Sequence, residues 1–267
     1  MTMETRPYRL LIVEAGEQVR RITLNRPEKR NAIGPEMINE LRWALADAAT
    51  DVSTRVVVLT GAGKAFCAGG DFSAFTGGES DGGLPLHPDG GSDYAALLLA
   101  MSRYGKPIVA QINGHAMGGG LGLVAASTFA IASTDAQLGT PEVDVGLFPM
   151  MIMALLDRLV PRRKLVAMML LGERLEAHEA VELGLVNQAV PPEELDAAVA
   201  TLCDRLAKKA PLAIRHGLEA LAAQDNRALE EALPMLRDRL GALLATDDAR
   251  EGLMAFMQKR PAKWTGR

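Results

Sequence analysis

Two glycine-rich turns constrain this chain more than any other feature. The first, GAGKAFCAGGD, covers 61–71, and the second, NGHAMGGGLG, covers 113–122. Each follows an apolar run typical of a buried strand, and each then places small residues where a helix would begin. Such a turn leaves backbone N–H groups uncovered, so it can receive negative charge. Two turns that converge on one point would form an oxyanion hole with two N–H donors.

Nucleotide-binding motifs do not explain these glycines. GAGK at 61–64 resembles part of a phosphate loop, but that motif requires a glycine where Val58 stands and a hydroxyl residue where Ala65 stands. The second turn lacks the G-x-G-x-x-G spacing, so hydrolysis of a nucleoside triphosphate is nearly excluded. The sequence also has no G-x-S-x-G elbow and no His/Cys/Glu cluster with metal-ligand spacing. We therefore expect no metal.

Composition and charge limit the partners of this chain. The formal net charge is −4 over 267 residues, and no basic run occurs, which argues against a nucleic-acid surface. The first residues contain no long apolar stretch, so no secretory signal is expected, and no apolar run is long enough for a membrane span. Two cysteines, Cys67 and Cys203, predict a reducing compartment, and we expect a cytoplasmic protein. For Cys67, packing in the first turn is favoured over a nucleophilic role, because no basic partner is near in sequence.

Strands alternate with helices in the first half, and helices dominate from residue 150 onward. The predicted strands are 9–13, 18–24, 55–60 and 107–112, with one later strand near 186–190. The first predicted helix begins at Pro35. Further helices are predicted at 94–104, 119–126, 150–159, 162–171, 177–183, 193–209, 211–223, 228–245 and 248–258. This order predicts an α/β protein with a helical end.

The segment 76–93 has a different composition from its surroundings. It consists largely of glycine, proline and acidic residues, which is typical of a mobile loop. A lid over a binding site and a tolerated surface insertion explain it equally well. His87 lies in this segment and could reach a substrate, although exposure to solvent is favoured.

Glu142 is the best candidate for a catalytic acid or base. It follows Pro141 within the apolar stretch TPEVDVGLFPMM at 140–151, where loss of hydration would raise the pKa of a carboxyl group. An acyl carbonyl with an activated α-carbon needs stabilisation of its enolate oxygen and a proton carrier beside the chain. Without further context, a glutamate after a proline is more often an ordinary turn residue.

The sequence closely resembles the crotonase (enoyl-CoA hydratase/isomerase) family over nearly its whole length. Five segments carry this resemblance in the order and spacing of the family: LNRPEKRNAI at 24–33, GAGKAFCAGGD at 61–71, INGHAMGGG at 112–120, LGTPEVDVGLFP at 138–149 and AFMQKR at 255–260. The resemblance implies a spiral of ββα units over 1–200 and a C-terminal helical trimerisation region over 201–267. It also implies a homotrimer or hexamer that acts on an acyl-CoA thioester, with no cofactor because coenzyme A is part of the substrate.

Site residues follow from the resemblance position by position. The oxyanion N–H groups match Gly70 and Gly119. The residues matched to coenzyme A binding are Arg26, Lys29, Arg30, Ala32, Lys64 and Ala68, together with Phe256 and Lys259, a pair commonly supplied by a neighbouring subunit. Without the resemblance, Phe256 would be interpreted as a core aromatic and Lys259 as a solvated lysine.

One departure from the family pattern bears directly on the reaction. Typical hydratases carry two glutamates; Glu142 matches the later one, and the earlier one falls on Gly122. Two carboxylates position and activate one water molecule, whereas a single carboxylate is sufficient to move a proton between C4 and C2 of an enoyl thioester. The resemblance therefore allows hydration or 3-enoyl to 2-enoyl isomerisation, and the missing glutamate also permits a non-catalytic acyl-CoA binding protein.

Further candidate site residues lie near Glu142 and in the second glycine-rich turn. Some relatives carry an aspartate where this chain has Met150, so chemistry that needs this carboxylate is not expected. Met150, Met151 and Met153 either line an adaptable acyl pocket or form helix core, with core slightly favoured. Asp144 would face the same way as Glu142 only in an extended segment, so a structural role is favoured. His115 is expected to pack.

Overall fold

The computed structural model describes residues 6–71 and 83–267, and this part of the chain contains ten β-strands and ten α-helices. The strands are β1 (Leu11–Ala15), β2 (Val19–Leu24), β3 (Val56–Gly61), β4 (Ala65–Cys67), β5 (Ile108–Ile112), β6 (His115–Met117), β7 (Phe129–Ser133), β8 (Gln137–Gly139), β9 (Arg174–Glu176) and β10 (Gln188–Val190). The helices are α1 (Pro35–Thr50), α2 (Tyr94–Ser102), α3 (Gly119–Ala125), α4 (Met150–Leu156), α5 (Arg162–Leu171), α6 (Ala177–Glu182), α7 (Leu195–Ala207), α8 (Pro211–Gln224), α9 (Leu229–Leu244) and α10 (Asp247–Met257).

Two sheets organise the first two thirds of the described chain. The larger sheet has the strand order β1-β2-β3-β5-β7-β10, and the smaller one has the order β4-β6-β8-β9. The hairpin of β1 and β2 is antiparallel, with Leu11 opposite Leu24, and the remaining neighbours in the larger sheet are parallel. Parallel neighbours require crossover connections, which here run through the smaller sheet and the helices.

The chain repeats one path through both sheets. A strand of the larger sheet is followed by a short strand of the smaller sheet and then by a helix, as in β5-β6-α3 and β7-β8-α4. Each repeat adds its strands beside those of the previous repeat, in parallel. This is the predicted spiral of ββα units, so the α/β fold class is confirmed.

The central strands of the larger sheet are buried on both faces. Every residue of β3 and of β5 is buried, as expected of parallel strands covered on both sides. Val57, Leu59 and Ile108 face the main core with α1 and α3, whereas Val56 and Val58 face the other way, against α7. The rigid sheet therefore fixes the positions at which its strands end, and the two glycine-rich turns follow the ends of β3 and β5.

The predicted helices and strands agree with the structure, but the short strands of the smaller sheet were not predicted. All the predicted helices and strands are present with ends shifted by a few residues, and α5 has the predicted bounds. The prediction of a single strand after residue 150 was wrong, because β9 pairs antiparallel with β8 through Leu138 and Leu175. The first glycine-rich turn contains strand β4, and any helix directly after it would fall at 72–82, outside the described residues.

Few residues of α8, α9 and α10 are buried. α8 has no buried residue, α9 buries Ala232, and α10 buries Asp248 and Ala255. The division into a core at 1–200 and a trimerisation region at 201–267 stays a prediction. Within 6–71 and 83–267, no helix has the length and apolar content needed to cross a membrane.

Candidate active site

A cavity of about 530 Å³ brings the two glycine-rich turns together with Glu142. That volume is within the usual range for small-molecule sites. Its polar side chains come from Asp71, Ser92, Tyr94 and Glu142, Gly70 and Gly119 add backbone groups, and most of the remaining lining is apolar. The elements that supply these residues are far apart in the sequence, so the spiral itself assembles the site.

The two turns meet at Gly69 and Gly119. A Cβ built on Gly69 would lie 3.7 Å from the Gly119 nitrogen. Gly70 is held in place by a parallel bridge to Ile33, whose N–H donates to the Gly69 carbonyl at 2.8 Å and whose carbonyl accepts from Asp71 N–H at 2.8 Å. Among the described residues, neither the Gly70 N–H nor the Gly119 N–H has an acceptor. Both are therefore available to a ligand oxygen.

Glu142 lies on a short 3₁₀ helix, Pro141–Val145, at the edge of the cavity. Burial raises the pKa of its carboxyl above the ordinary value, and its buried Oε2 has no hydrogen-bond partner among the described residues. Gly118 makes room for it: φ is 50° there, and a Cβ would lie 2.8 Å from Glu142 Oε1. A residue with a side chain at 118 would be strained and would displace the carboxyl.

Asp71 is a second carboxylate of the cavity lining, and the sequence did not indicate it. Its Oδ2 receives Arg26 Nη1 at 2.5 Å and lies 3.6 Å from Lys29 Nζ. The carboxylate is thus committed to a mostly buried ion pair, whereas the Glu142 Oε2 is unpaired. Of the two groups, Glu142 is the one available to carry a proton.

No carboxylate stands at position 122, and other side chains fill the space there. A Cβ on Gly122 would lie 2.3 Å from Ile152 Cγ2 and 2.4 Å from the hydroxyl oxygen of Tyr94. The Tyr94 hydroxyl donates to the Gly119 carbonyl, and burial, with Cys67 and Glu142 nearby, raises the pKa of the phenol well above its ordinary value. The cavity therefore contains a neutral phenol close to the position that a second glutamate would occupy.

Comparison with known proteins identifies the family to which this site belongs. Residues 14–267 match the family model described as enoyl-CoA hydratase/isomerase. The chain is 34% identical to the (E)-benzylidenesuccinyl-CoA hydratase of Thauera aromatica over 95% of this chain and 98% of that one. It is 33% identical to the 2,3-dehydroadipyl-CoA hydratase of Escherichia coli over 96% and 99% of the two chains. The crystal structure of the enoyl-CoA hydratase from Bacillus anthracis superposes with a TM-score of 0.88 at 31% identity, covering 97% of this chain and all of that one.

The chain belongs to the enoyl-CoA hydratase/isomerase family. Family membership makes it an enzyme that acts on acyl-CoA thioesters, as the resemblance in the sequence implied.

In this family member, the two segments that carry the matched residues from Arg26 to Ala68 form a rim beside the cavity-lining residues Ile33 and Gly70. Asn31 orders that rim: its side chain is fully buried, its Oδ1 accepts from Arg26 N–H at 2.9 Å, and its Nδ2 donates to the Ala62 and Ala65 carbonyls. The sequence did not single out Asn31, although it lies within the first family segment. Its left-handed backbone, φ 57°, ends the turn that carries the predicted residues.

The predicted binding residues along this rim differ in their exposure to solvent. Lys29, Arg30, Lys64 and Ala68 are exposed, and Ala32 is half-buried. The Ala68 N–H donates to the Arg30 carbonyl at 2.9 Å, which joins the two segments of the rim. Phe256 and Lys259 lie at the end of α10, outside the cavity lining, and Phe256 is 84% exposed. Within one chain, the structure does not bring this last pair to the site.

The methionines of α4 divide between the two alternatives. Met150 and Met151 line the cavity and are 64% and 51% exposed, so the slightly favoured assignment to helix core was wrong for both. Met153 packs against the main core, as that assignment predicted. With Leu147 and Phe148, the first two methionines form an apolar wall next to Glu142.

The remaining candidate residues lie outside the cavity lining. Cys67 is fully buried, and burial raises its thiol pKa to about 12, as expected for a packing residue. Asp144 lies two residues after Glu142 on the same 3₁₀ helix, and its carboxyl lies next to Gly172. It therefore does not share the face of Glu142. His115 is exposed and its Nδ1 accepts from Gln137 N–H at 3.0 Å, so the expectation that it packs was wrong.

Only part of the predicted loop at 76–93 is described. From residue 83 onward it is anchored on α1: Asn39 donates to the Pro85 carbonyl and accepts from His87 N–H at 2.8 Å, and Trp43 also donates to the Pro85 carbonyl. The His87 ring packs against Trp43 at 4.6 Å, outside the cavity lining. Residues 76–82 are outside the described part, and the function of the loop as a lid stays a prediction. Among the described residues, no group of three His, Cys, Asp or Glu side chains could hold a metal ion.

Proposed function

We propose that this enzyme stabilises the enolate of an enoyl-CoA thioester between the N–H groups of Gly70 and Gly119, with Glu142 as its acid and base. The observation that carries the proposal is the unpaired, buried Oε2 of Glu142 in the same cavity as two N–H groups without acceptors. Donors for a developing oxyanion and a neighbouring proton carrier are what enolate chemistry requires.

In hydration of a 2-enoyl thioester, the Glu142 carboxylate takes a proton from water while the water oxygen bonds to C3. The C2=C3 electron pair moves toward the carbonyl, and the thioester oxygen becomes an enolate oxygen held by the two N–H groups. Protonated Glu142 then returns the proton to C2. The sum is the addition of one water, and the carboxyl group ends as it began. Burial supports this cycle, because the raised pKa of Glu142 brings its two protonation states closer in free energy.

In isomerisation of a 3-enoyl thioester, the same groups act without water. Glu142 removes a proton from C2, the enolate forms in the oxyanion hole, and Glu142 delivers the proton to C4 while the double bond moves to C2=C3. One carboxylate suffices for this transfer, and Glu142 supplies it in the cavity lining. Hydration is supported by the names of the relatives, which include hydratases of two CoA thioesters. Both reactions therefore remain within the proposal.

The coenzyme A portion would bind along the rim beside the cavity. Arg26, Lys29, Arg30 and Lys64 place cations there for phosphate groups, and the backbone at Ala32 and Ala68 borders the path toward Gly70. The acyl chain would lie against Met150 and the apolar wall. Coenzyme A is part of the substrate, and no cofactor is needed for either reaction.

Phe256 and Lys259 would complete the coenzyme A site of a neighbouring subunit. This proposal accounts for an 84% exposed phenylalanine at the end of α10. It requires a homotrimer or hexamer. We propose a cytoplasmic location on the strength of the cysteine content alone.

The test compares the wild type with Glu142→Gln on 2-enoyl-CoA and 3-enoyl-CoA esters, with product masses and double-bond positions as the readout. We expect the wild type to convert at least one ester, and Glu142→Gln to be at least about a thousandfold slower, because removal of the proton carrier costs general acid–base catalysis. The matched control is Asp144→Asn on the same 3₁₀ helix, which lies outside the cavity lining and should retain activity.

Two results would contradict the proposal. A wild type that binds CoA esters and converts neither class is a binding protein, the alternative that the glycine at 122 allows. A Glu142→Gln variant with wild-type rates would show that another group carries the proton.

A further inference from the structure

The hydroxyl of Tyr94 is a polar group of the cavity to which the proposed mechanism gives no role. Tyr94 is the first residue of α2, and it lines the cavity together with Gly119 and Glu142. Its hydroxyl hydrogen is committed, because a carbonyl can only accept and the partner of the hydroxyl is the Gly119 carbonyl. The oxygen keeps acceptor capacity for a further donor.

This oxygen lies close to the position from which a second catalytic carboxylate would project. A Cβ on Gly122 would be 2.4 Å from it and 2.3 Å from Ile152 Cγ2, and Ile152 is buried in α4. The space is therefore closed to a side chain at 122, and the tyrosine oxygen is the polar atom next to it.

A water molecule in the cavity has two hydrogens, and Glu142 and Tyr94 offer it acceptors on different elements. One is the carboxylate of Glu142 on the 3₁₀ helix, and the other is the Tyr94 oxygen on α2; both residues line the cavity. The two groups flank the same turn: a Cβ on Gly118 would lie 2.8 Å from Glu142 Oε1, and a Cβ on the adjacent Gly119 would lie 3.6 Å from the Tyr94 oxygen. Two acceptors for two hydrogens orient the lone pairs of the water toward a third point, which is what attack on C3 requires.

We propose that Tyr94 is a catalytic residue for hydration, whose oxygen accepts one hydrogen of the attacking water while Glu142 takes the other as a proton. The inference rests on the proposed function. In the step itself the O–H bond facing Glu142 breaks, the new C3–O bond forms, and the hydrogen facing Tyr94 stays on the product hydroxyl. Tyr94 neither gains nor loses a proton, in keeping with a phenol that stays neutral.

This role predicts an effect on hydration that is separate from enolate formation. Exchange of a C2 hydrogen of a saturated acyl-CoA in D₂O needs Glu142 and the oxyanion hole, but no water adds to carbon. A residue that only supported the fold or the Gly119 turn would change both reactions in parallel. A residue that orients the attacking water changes hydration alone.

The experiment measures hydration of a 2-enoyl-CoA and C2 hydrogen exchange of the saturated acyl-CoA on the same preparations of wild type and Tyr94→Phe. We expect kcat for hydration to fall at least about tenfold in the variant, the usual scale for one lost hydrogen bond at a reacting group, while exchange changes less than about threefold. The matched control is Tyr104→Phe, which removes a hydroxyl that donates to the Leu45 carbonyl at 2.6 Å outside the cavity lining. It should leave both rates and their ratio unchanged.

Equal losses of hydration and exchange, or unchanged hydration, would overturn the role of Tyr94. If the wild type shows neither hydration nor exchange, the proposed function fails first, so the two failures are distinguishable. If Tyr94→Phe does not fold, 3,5-difluorotyrosine at position 94 keeps the shape and the donor but makes the oxygen a weaker acceptor. Hydration should then fall several-fold against exchange, and an unchanged ratio contradicts the inference.

Discussion

At the scale of single residues, the buried and unpaired Oε2 of Glu142 lowers folding stability but suits the proposed proton transfer. A buried carboxylate is costly unless it is paired, and the Glu142 Oε2 has no partner among the described residues. Gly118 accepts a left-handed backbone that leaves space for this carboxyl. Asp71, by contrast, is compensated by Arg26. The cavity thus has one carboxylate committed to structure and one kept unpaired.

We predict that Glu142→Gln stabilises the protein increasingly as the pH rises. Burial raises the folded-state pKa above the ordinary 4.5, so the folded protein binds more protons than the unfolded chain between these two values. Wild-type stability from this group is therefore lost as the pH rises through that window. The difference in Tm, variant minus wild type, should be larger at pH 8 than at pH 5, by an amount on the order of a few degrees. Thermal unfolding by circular dichroism measures it.

Asp51→Asn is the comparison variant, because the pKa of Asp51 is lowered whereas that of Glu142 is raised. Burial alone would raise the pKa of Asp51, but hydrogen bonds from Ser53 and Thr54 and the nearby Arg20 lower it to about 2. Its contribution is complete above the ordinary value and is lost only as the pH falls toward 2, so Asp51→Asn should lower Tm equally at pH 5 and pH 8. A Glu142→Gln difference that shrinks toward pH 8 would contradict the raised pKa.

At the scale of secondary-structure elements, the periodicity of apolar residues predicted the long helices, whose signal lies within one continuous segment. The helices α5, α7 and α9 carry an apolar face over at least ten residues, and their ends were predicted to within two residues. The strands β4, β6, β8 and β9 have three residues each, too few to show a period, and they exist because of partners far away in the sequence. Long-range pairing is not readable from local composition, so the smaller sheet was missed.

The residues of the candidate site likewise divide into those that a local motif predicts and those that only long-range packing brings to the cavity. Glu142 and the glycine turns were predictable because each lies inside a local motif with a chemical reason for its residue types. Tyr94 and Asp71 enter the cavity only through the packing of α2 and through the bridge between Ile33 and Gly70. The sequence showed a missing side chain at Gly122, but it could not show which group had taken its place.

The packing of α3 against α2 and α4 predicts the cost of any side chain at position 122. Gly122→Ala forces a methyl group against Ile152 and the Tyr94 hydroxyl, and overpacking of this kind should lower the free energy of unfolding by about 1–3 kcal/mol. Gly217→Ala, in the middle of α8, has no atom within 4 Å of its new methyl and should raise that free energy by up to about 1 kcal/mol. Urea unfolding of both variants measures the contrast, and a stabilised Gly122→Ala would show that the space at 122 is open.

At the scale of the whole molecule, the C-terminal helices carry apolar residues that one chain does not cover. On α9, Leu229, Leu233, Leu240 and Leu244 are each more than half exposed, and their spacing places them on one face. On α10, Phe256 and Met257 are 84% and 73% exposed. A stripe of this kind on a water-exposed helix indicates an interface. It supports the proposed assembly and the transfer of Phe256 and Lys259 to a neighbouring site.

We therefore predict that the protein is a trimer or a pair of trimers, and that its active site depends on this assembly. Light scattering should give a mass that is three or six times the 28.5 kDa of one chain. Leu233→Glu combined with Leu240→Glu places two buried charges in each copy of the interface, so the mass should fall toward that of one chain. KM for the CoA thioester should rise in the dissociated variant, because Phe256 and Lys259 no longer reach the coenzyme A of a neighbour. Val52→Glu, at a side chain 91% exposed, is the control that should change neither mass nor KM. A wild type with the mass of one chain and full activity would contradict the shared site, since Phe256 would then have no subunit to complete.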